Sequence, residues 1–270
     1  MNRQGRIEVF NSTIRKIQED SFLKSSLKNS IMMQKVIKNI APLDSLEELT
    51  LNKSGIIRLS KDRSFQAAMR NQKLHNATLN FASWINPGGG VENGSSAQEE
   101  SLCRISTLFP ALNDEKMMNE FYYPHRASKL RGIYNDDIIY TPNITIFRQD
   151  DEYMDILPSS KWGQSDVITI AAPNLNYIND YSQVDLDNIY RNRISKALSA
   201  AYQNNADCVI LGAFGCGVFG NDPYRVAKAT LSVLSKVRKC FEVIELPIFC
   251  AYDSTNYDAF MSVFAPVINY

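Results

Sequence analysis

The chain has 270 residues, 44% of them apolar and 21% charged, the composition of a folded globular protein with ample length for a core. Its 29 Lys and Arg balance 29 Asp and Glu, which excludes a chain-wide attraction to nucleic acid or to an anionic membrane, so any anion has to be gripped locally. No apolar run approaches a membrane span, and the charged N-terminus (Arg3, Arg6, Glu8, Arg15, Lys16) lacks a signal peptide's apolar core, so a cytoplasmic location is expected, or a nuclear one in a eukaryote.

Residues 3–20, RQGRIEVFNSTIRKIQED, place Ile7, Phe10, Ile14 and Ile17 at helical spacing and predict an amphipathic helix packed on the domain. From there to about residue 57 the chain is rich in Lys and Asn and broken by APLD, and it reads as loop and irregular structure. SKDRSFQAAMRNQKL (60–74) is a second helix, and ATLNF (77–81) is a strand. PGGG follows, a glycine loop, and SSAQEESLCRISTLF (95–109) has the period of a helix. Residues 110–165, with FYYPHRASKL and DDIIYTPNITIFRQDD, predict short strands joined by surface loops. Then come the strand DVITIAAPN, the helix QVDLDNIYRNRISKALSAAYQNN, the strand ADCVILGAFGCG running into a second glycine loop, the helix DPYRVAKATLSVLSKVRK, the strand FEVIELPIFCAY and the helix STNYDAFMSVF. Strands alternating with helices of this length indicate an α/β fold with a largely parallel core sheet. One domain over 1–270 is expected, with an N-terminal helical extension (1–57) and an α/β core (58–270).

Strand, glycine loop and helix N-terminus in succession form an anion site, because bare glycines admit a ligand to the backbone and unpaired N–H groups crown the helix. The first such unit carries Gly88, Gly89, Gly90 and Val91, followed by Gln98, Glu99 and Glu100. The second, GAFGCGVFGN, carries Gly215, Cys216, Gly217, Val218, Phe219 and Gly220. There Asp222 is a natural N-cap and Pro223 suits the first helical position, so a capping carboxylate directs an anion to the amides of 215–220 rather than to the helix start. Gly215, Gly217 and Gly220 formally match GxGxxG, but only 50 residues follow Gly220, too few for a second mononucleotide-binding half. Tight strand-to-helix packing explains either loop alone; two such loops at one sheet edge fit the two phosphates of a diphosphate.

Ser96-Ala97-Gln98-Glu99 fits the capping box S-x-x-E with Glu99 reaching back to the cap, and Gln98 does the same from Ser95. Neither register uses Glu100. Neighbouring helical residues diverge by about 100°, so one glutamate serves the helix while the other faces the glycine loop. Adjacent carboxylates cannot flank both faces of a sugar as separated glycosidase pairs do. A single acid beside a diphosphate has another use: protonating the oxygen that leaves a ribose C1′, with the diphosphate stabilising the oxocarbenium ion, and then activating water as the carboxylate. Five cysteines without CxxC spacing and two histidines fifty residues apart argue against a disulfide framework or a metal site, and no cofactor is expected.

GGG, seven residues, then QEE resembles the signature of poly(ADP-ribose) glycohydrolases. The flanking LNFASWINPGGG, AQEESLCRIS, ITIAAPN, LGAFGCGVFGNDP and NSTIRKIQED resemble the bacterial-type branch, over essentially the whole chain. The resemblance implies a macrodomain, a mixed sheet between helices that binds ADP-ribose, with Glu100 as catalytic acid/base and Glu99 holding a ribose hydroxyl. It further implies diphosphate contacts from GCGVFGN, packing of Phe219 on the scissile ribose, nucleotide contacts near Asn80 and Ser83, and an aromatic, Tyr252, presented to adenine. Core packing for Phe219 and Tyr252, and turn chemistry for Asn80 and Ser83, are the alternatives. The implied activity is hydrolysis of ribose–ribose bonds in poly(ADP-ribose) attached to proteins, releasing ADP-ribose. Removal of a single ADP-ribose from an acceptor, and ADP-ribose binding without cleavage, are the competing readings; the acidic pair argues against the last.

Overall fold

The structure, a computed structural model, describes residues 1–130, 132–178, 180 and 182–268. Seven strands form one mixed sheet: β1 (Lys35–Ile37), β2 (Ile56–Ser60), β3 (Asn76–Phe81), β4 (Ile138–Ile146), β5 (Gly163–Ile170), β6 (Cys208–Ile210) and β7 (Val243–Pro247). Their order is β1-β4-β5-β3-β6-β7-β2, with five neighbours from β5 to β2 parallel and β1 and β4 joined antiparallel at one side. Helices α1 (Arg3–Glu19), α2 (Ser21–Met33), α3 (Ser64–Arg70), α4 (Gln98–Ile105), α5 (Leu108–Leu112), α6 (Glu115–Met117), α7 (Tyr123–Ala127), α8 (Leu186–Gln203), α9 (Pro223–Val237) and α10 (Thr255–Phe264) surround it, with a π-helical turn over Met118–Tyr122. No helix among the described residues is long and apolar enough to cross a membrane.

The apolar side chains divide between the two faces of the sheet. Leu79, Ile168, Ile170, Val209 and Ile244 pack with α8, α9 and α10 on one side, while Val167, Ile210 and Val243 pack with α4, α5 and Phe121 on the other. Central strands with both faces covered read as continuous apolar runs, which is why DVITI and CVIL were legible as strands. Because β3 and β6 are adjacent and parallel, the two glycine loops that leave their C-terminal ends lie side by side, where open α/β sheets bind ligands.

Four expectations fail. The stretch after residue 20 is not irregular: Asp20 caps α2, accepting from the amides of Phe22 and Leu23, and β1 extends the sheet. Apolar periodicity misses α2 because two of its buried positions are serines, Ser26 and Ser30, bonded to Thr145 and to the carbonyl of Asn143 on β4. β2 spans the expected boundary at residue 57, and Ile40 and Leu43 sit in the main core. Residues 110–165 contain the nine-residue strand β4 and the helical segment 115–127 rather than only short strands. Finally, the helix expected over 95–109 breaks at Ser106, which pairs with Ile146 while Thr107 donates to the carbonyl of Thr145.

Leu23, wholly buried against Phe147 on α2's inner face, tests whether the N-terminal segment is part of the cooperative unit. Leu23→Ala should cost about 2–5 kcal/mol in urea unfolding while leaving a single transition. An unchanged midpoint would show the segment to be a separate appendage.

Candidate active site

The first glycine loop is folded around the two glutamates. α4 starts at Gln98 with Ala97 as an N-cap that makes no side-chain bond, so the expected capping box is absent and Glu99 and Glu100 are the second and third helical residues. Both carboxylates turn to the loop instead. Glu99 accepts from the Ser83 amide at 2.7 Å and from Asn80 Nδ2 at 3.3 Å; Glu100 Oε1 accepts from the Gly90 amide at 2.9 Å. Glu100 Oε2 is buried and unpartnered among the described residues. Loop amides outcompete the helix's own because the loop lies across the N-terminus, where both sets converge.

Gly89 shows why glycine is needed. Its φ is +60°, and a Cβ there would stand 2.5 Å from Glu100 Oε1 and 3.2 Å from Glu99 Oε2. The triple glycine thus lets the backbone approach the protein's own carboxylates. Glu99 and Glu100 are 3% and 7% exposed. Burial pushes the Glu99 carboxyl up to about 8, the adjacent Glu100 acts in the same direction, and the N–H donors from Ser83 and Asn80 only partly offset it. Gln98 ties α4 to β3: its Oε1 accepts from the Phe81 amide and its Nε2 donates to the Leu79 carbonyl and Ser64 Oγ. Val91 is buried and Gly88 packs toward Phe109 and Cys103.

Two brackets hold this loop from outside. Arg3 and Arg6 of α1 donate to the carbonyls of Asn93 and Gly94 at 2.8 and 2.6 Å. From the other side Trp84 is sandwiched between His125 and Tyr134, at centroid distances of 4.3 and 4.5 Å, and Arg126 donates to the Ile85 carbonyl.

The second loop is pinned by a residue to which the sequence reading gave no role of its own. Asn221, buried, donates to the carbonyls of Gly215 and Pro173 and accepts from Tyr190 OH, joining the loop to the exit of β5 and to α8. Asp222 caps α9 as expected, accepting from the amides of Tyr224 and Arg225. The amides of Gly217, Val218 and Phe219 donate to no group among the described residues. A Cβ on Gly217 or Gly220 would meet open space. Consecutive unclaimed amides on an open glycine turn form a concavity suited to an anion.

A cleft of about 290 Å³ runs along this loop, lined by Gly215, Gly217, Val218 and Phe219, and continues past Phe81 to Ala97, Gln98 and Ser101 at the start of α4. Neither glutamate is among its lining residues; both are buried between Gln98 and Ser101 in α4. Its remaining wall holds Asp62, Arg63, Asp150 and Phe249, none of them singled out from the sequence. Arg63 lies over the Phe249 ring at 3.8 Å. Asp150 caps α3 from outside, accepting from the Phe65 amide at 3.0 Å, and burial pushes its carboxyl up to about 6. Tyr252 is fully exposed and off the cleft; Phe249, three residues earlier on the same strand exit, is the aromatic on the wall. The structure therefore gathers Asn80, Ser83, Gly88–Val91 and Gln98–Glu100 at one loop and Gly215–Gly220 at its neighbour, and leaves Tyr252 apart.

The family model for the catalytic domain of microbial-type PARG matches residues 8–149, more than half of the chain. The chain belongs to the microbial-type PARG family. Membership makes it a hydrolase of the poly(ADP-ribose) glycohydrolase type. Poly(ADP-ribose) glycohydrolase from Thermomonospora curvata superposes with a TM-score of 0.86 at 26% identity, covering 97% of this chain and 100% of that one. The same enzyme bound to the inhibitor ADP-HPD gives 0.82 at 26%, with 96% and 99% covered. Poly(ADP-ribose) glycohydrolase from Deinococcus radiodurans in complex with ADP-ribose gives 0.78 at 27%, with 90% and 98% covered. No match was found among curated protein sequences. The matched segment of this PARG contains the first glycine loop and both glutamates, whereas the second loop is aligned by the structural superpositions alone.

Two measurements probe this geometry. Gly89→Ala should fold but lose most turnover, because its Cβ displaces the Glu100 carboxylate; parental kcat would mean that the loop's approach is incidental. Glu99, with its folded value raised to about 8 from 4.5, stabilises the fold fully below the unfolded value and loses that contribution as pH rises through about 8. Tm should therefore decline between pH 5 and pH 9, and Glu99→Gln should flatten the decline. Identical slopes would contradict a buried protonated Glu99.

Proposed function

We propose that the chain hydrolyses the O-glycosidic ribose–ribose bonds of poly(ADP-ribose) carried on proteins, releasing ADP-ribose, with Glu100 as the single acid/base. The observation that carries this reading is the Glu100 carboxyl: one oxygen held by the Gly90 amide, the other unpartnered, in a buried site next to a loop with three unclaimed amides. Those amides, of Gly217, Val218 and Phe219, take the diphosphate, and Phe219 on the cleft wall packs against the adjoining ribose. The ADP-ribose and ADP-HPD complexes of the Deinococcus and Thermomonospora enzymes support a ligand of this class.

As the C1″–O bond breaks, its electron pair stays on the departing oxygen, which takes the proton of Glu100. The ribosyl oxocarbenium ion is stabilised by the nearby diphosphate. The Glu100 carboxylate then removes a proton from the water that attacks C1″, which restores the acid and completes ADP-ribose. Glu99 holds the loop as well as the ribose hydroxyl that the resemblance implies: it accepts from Ser83 and Asn80, so it also positions the loop. The whole of residues 1–270 acts as one catalytic unit, because Arg3 and Arg6 hold the carbonyls that follow the glycines.

The test is release of ADP-ribose from labelled polymer, with mono-ADP-ribosylated protein as the comparison substrate. The parent should consume polymer in preference. Glu100→Gln keeps size and hydrogen bonding but has no proton to give, so turnover should fall by about 10²–10⁴-fold, roughly 3–5 kcal/mol of barrier, with ADP-ribose affinity by calorimetry almost unchanged. An active Glu100→Gln beside an inactive Glu99→Gln would reverse the two roles.

A further inference from the structure

Beside the carboxylate pair lies a buried cation that the mechanism above leaves unused. Arg104 is wholly inaccessible, and none of its three guanidinium nitrogens meets an acceptor among the described residues. It stands one helical turn beyond Glu100 on α4. Residues four apart share a helix face, so Arg104 and Glu100 lie on the same side of α4. Its backbone is fixed independently, since Thr13 of α1 donates to the Arg104 carbonyl.

A guanidinium without contact partners is costly to bury unless negative charge acts on it through the low-dielectric interior. Glu100 supplies that influence; burial and the like charge of Arg6 on α1 oppose it, leaving the Arg104 ionisation at about 10 and the group charged at neutral pH. Further buried titratable groups on α4 and the π turn are Glu99, Cys103 and Tyr122. Burial pushes all three up, the Glu99 carboxyl to about 8, so they carry little charge at neutral pH. Glu92 on the turn after the glycines is exposed, and Arg70 on α3 is paired with Asp62 and Glu245. Glu100 is therefore the acid on the Arg104 face of α4.

We propose that Arg104 is a positioning residue for the hydrolysis: its buried charge stabilises the carboxylate that Glu100 becomes on giving up its proton, and so supports the activation of water. The proposal rests on Glu100 as acid/base. It concerns a side chain that touches no substrate and acts only through Glu100.

Arg104→Met removes the charge while keeping a long apolar side chain. On labelled poly(ADP-ribose), kcat should fall about 10²-fold, the lower end of what an acid–base group contributes, while KM and ADP-ribose affinity stay within a few-fold. Loss of the cation favours the protonated form of the carboxyl pair, so the low-pH limb of the kcat profile should move to higher pH. Arg104→Lys keeps the charge and should recover most of the rate and restore the limb. A purely structural arginine would change Tm without moving the limb; an unmoved limb, or equal kcat for the Met and Lys variants, overturns the proposal. Should Arg104→Met not fold, Arg104→Gln against Arg104→Lys makes the same comparison. A parent that releases no ADP-ribose, or an active Glu100→Gln, defeats the underlying reading and this inference with it, whereas an active, Glu100-dependent parent insensitive to Arg104 defeats the inference alone.

Discussion

The structure turns on the contact between the first glycine loop and the two carboxylates at the start of α4. Ser83 and Gly90 each donate an amide to one of them, and Gly89 supplies the left-handed turn and the missing side chain that let the backbone come so close. Pairing offsets the cost of burying such polar groups, and the partners of Glu99 and of Glu100 Oε1 are each fixed by surrounding elements. Asn80 is on β3, Gln98 staples α4 to the same strand, and Trp84 anchors the loop against His125 and Tyr134. Displacing any of these elements would strand a buried carboxylate, so loop and helix behave as one rigid unit.

Adjacency in the sheet carries that unit to the rest of the site. β6 lies beside β3, so the turn after β6 presents its amides next to the loop after β3, and Asn221 fixes the turn by bonding to the exits of two elements at once. One rim carries two buried carboxyl groups and the other unclaimed amides. The proposed cleavage through a cationic transition state would use both: an acid at the leaving oxygen and a bound diphosphate near the developing charge.

The N-terminal helices take part in this arrangement. α1 reaches the loop through Arg3 and Arg6 and reaches α4 through Thr13, while Phe10 meets Phe109 edge-on at 4.9 Å. On the opposite flank, the segment around the π turn supplies the aromatic sandwich on Trp84. Helix α4 is thus clamped between two parts of the chain that show none of the glycine signals, and their contribution is rigidity.

Sequence by itself determined the α/β class, both glycine loops and the Asp222 cap, because each rests on short-range physics: strand period, the φ range open to glycine, and the spacing of a helix start. It did not determine which groups the carboxylates meet. The capping box at Ser96 is a sound local rule, yet tertiary packing laid loop amides across the same helix end and won both glutamates. α2 was invisible because its buried face carries serines that bond to β4, a contact that exists only once β4 is in place. Tyr252, the aromatic singled out from the sequence, is fully exposed while Phe249 lines the cleft, since which aromatic faces the cleft depends on where β7 stops and how Arg63 packs over the ring. Arg104 reads from sequence as an ordinary charged residue in a helix's last turn. Only the fold buries it on the face of α4 that carries Glu100, with no acceptor for its guanidinium among the described residues.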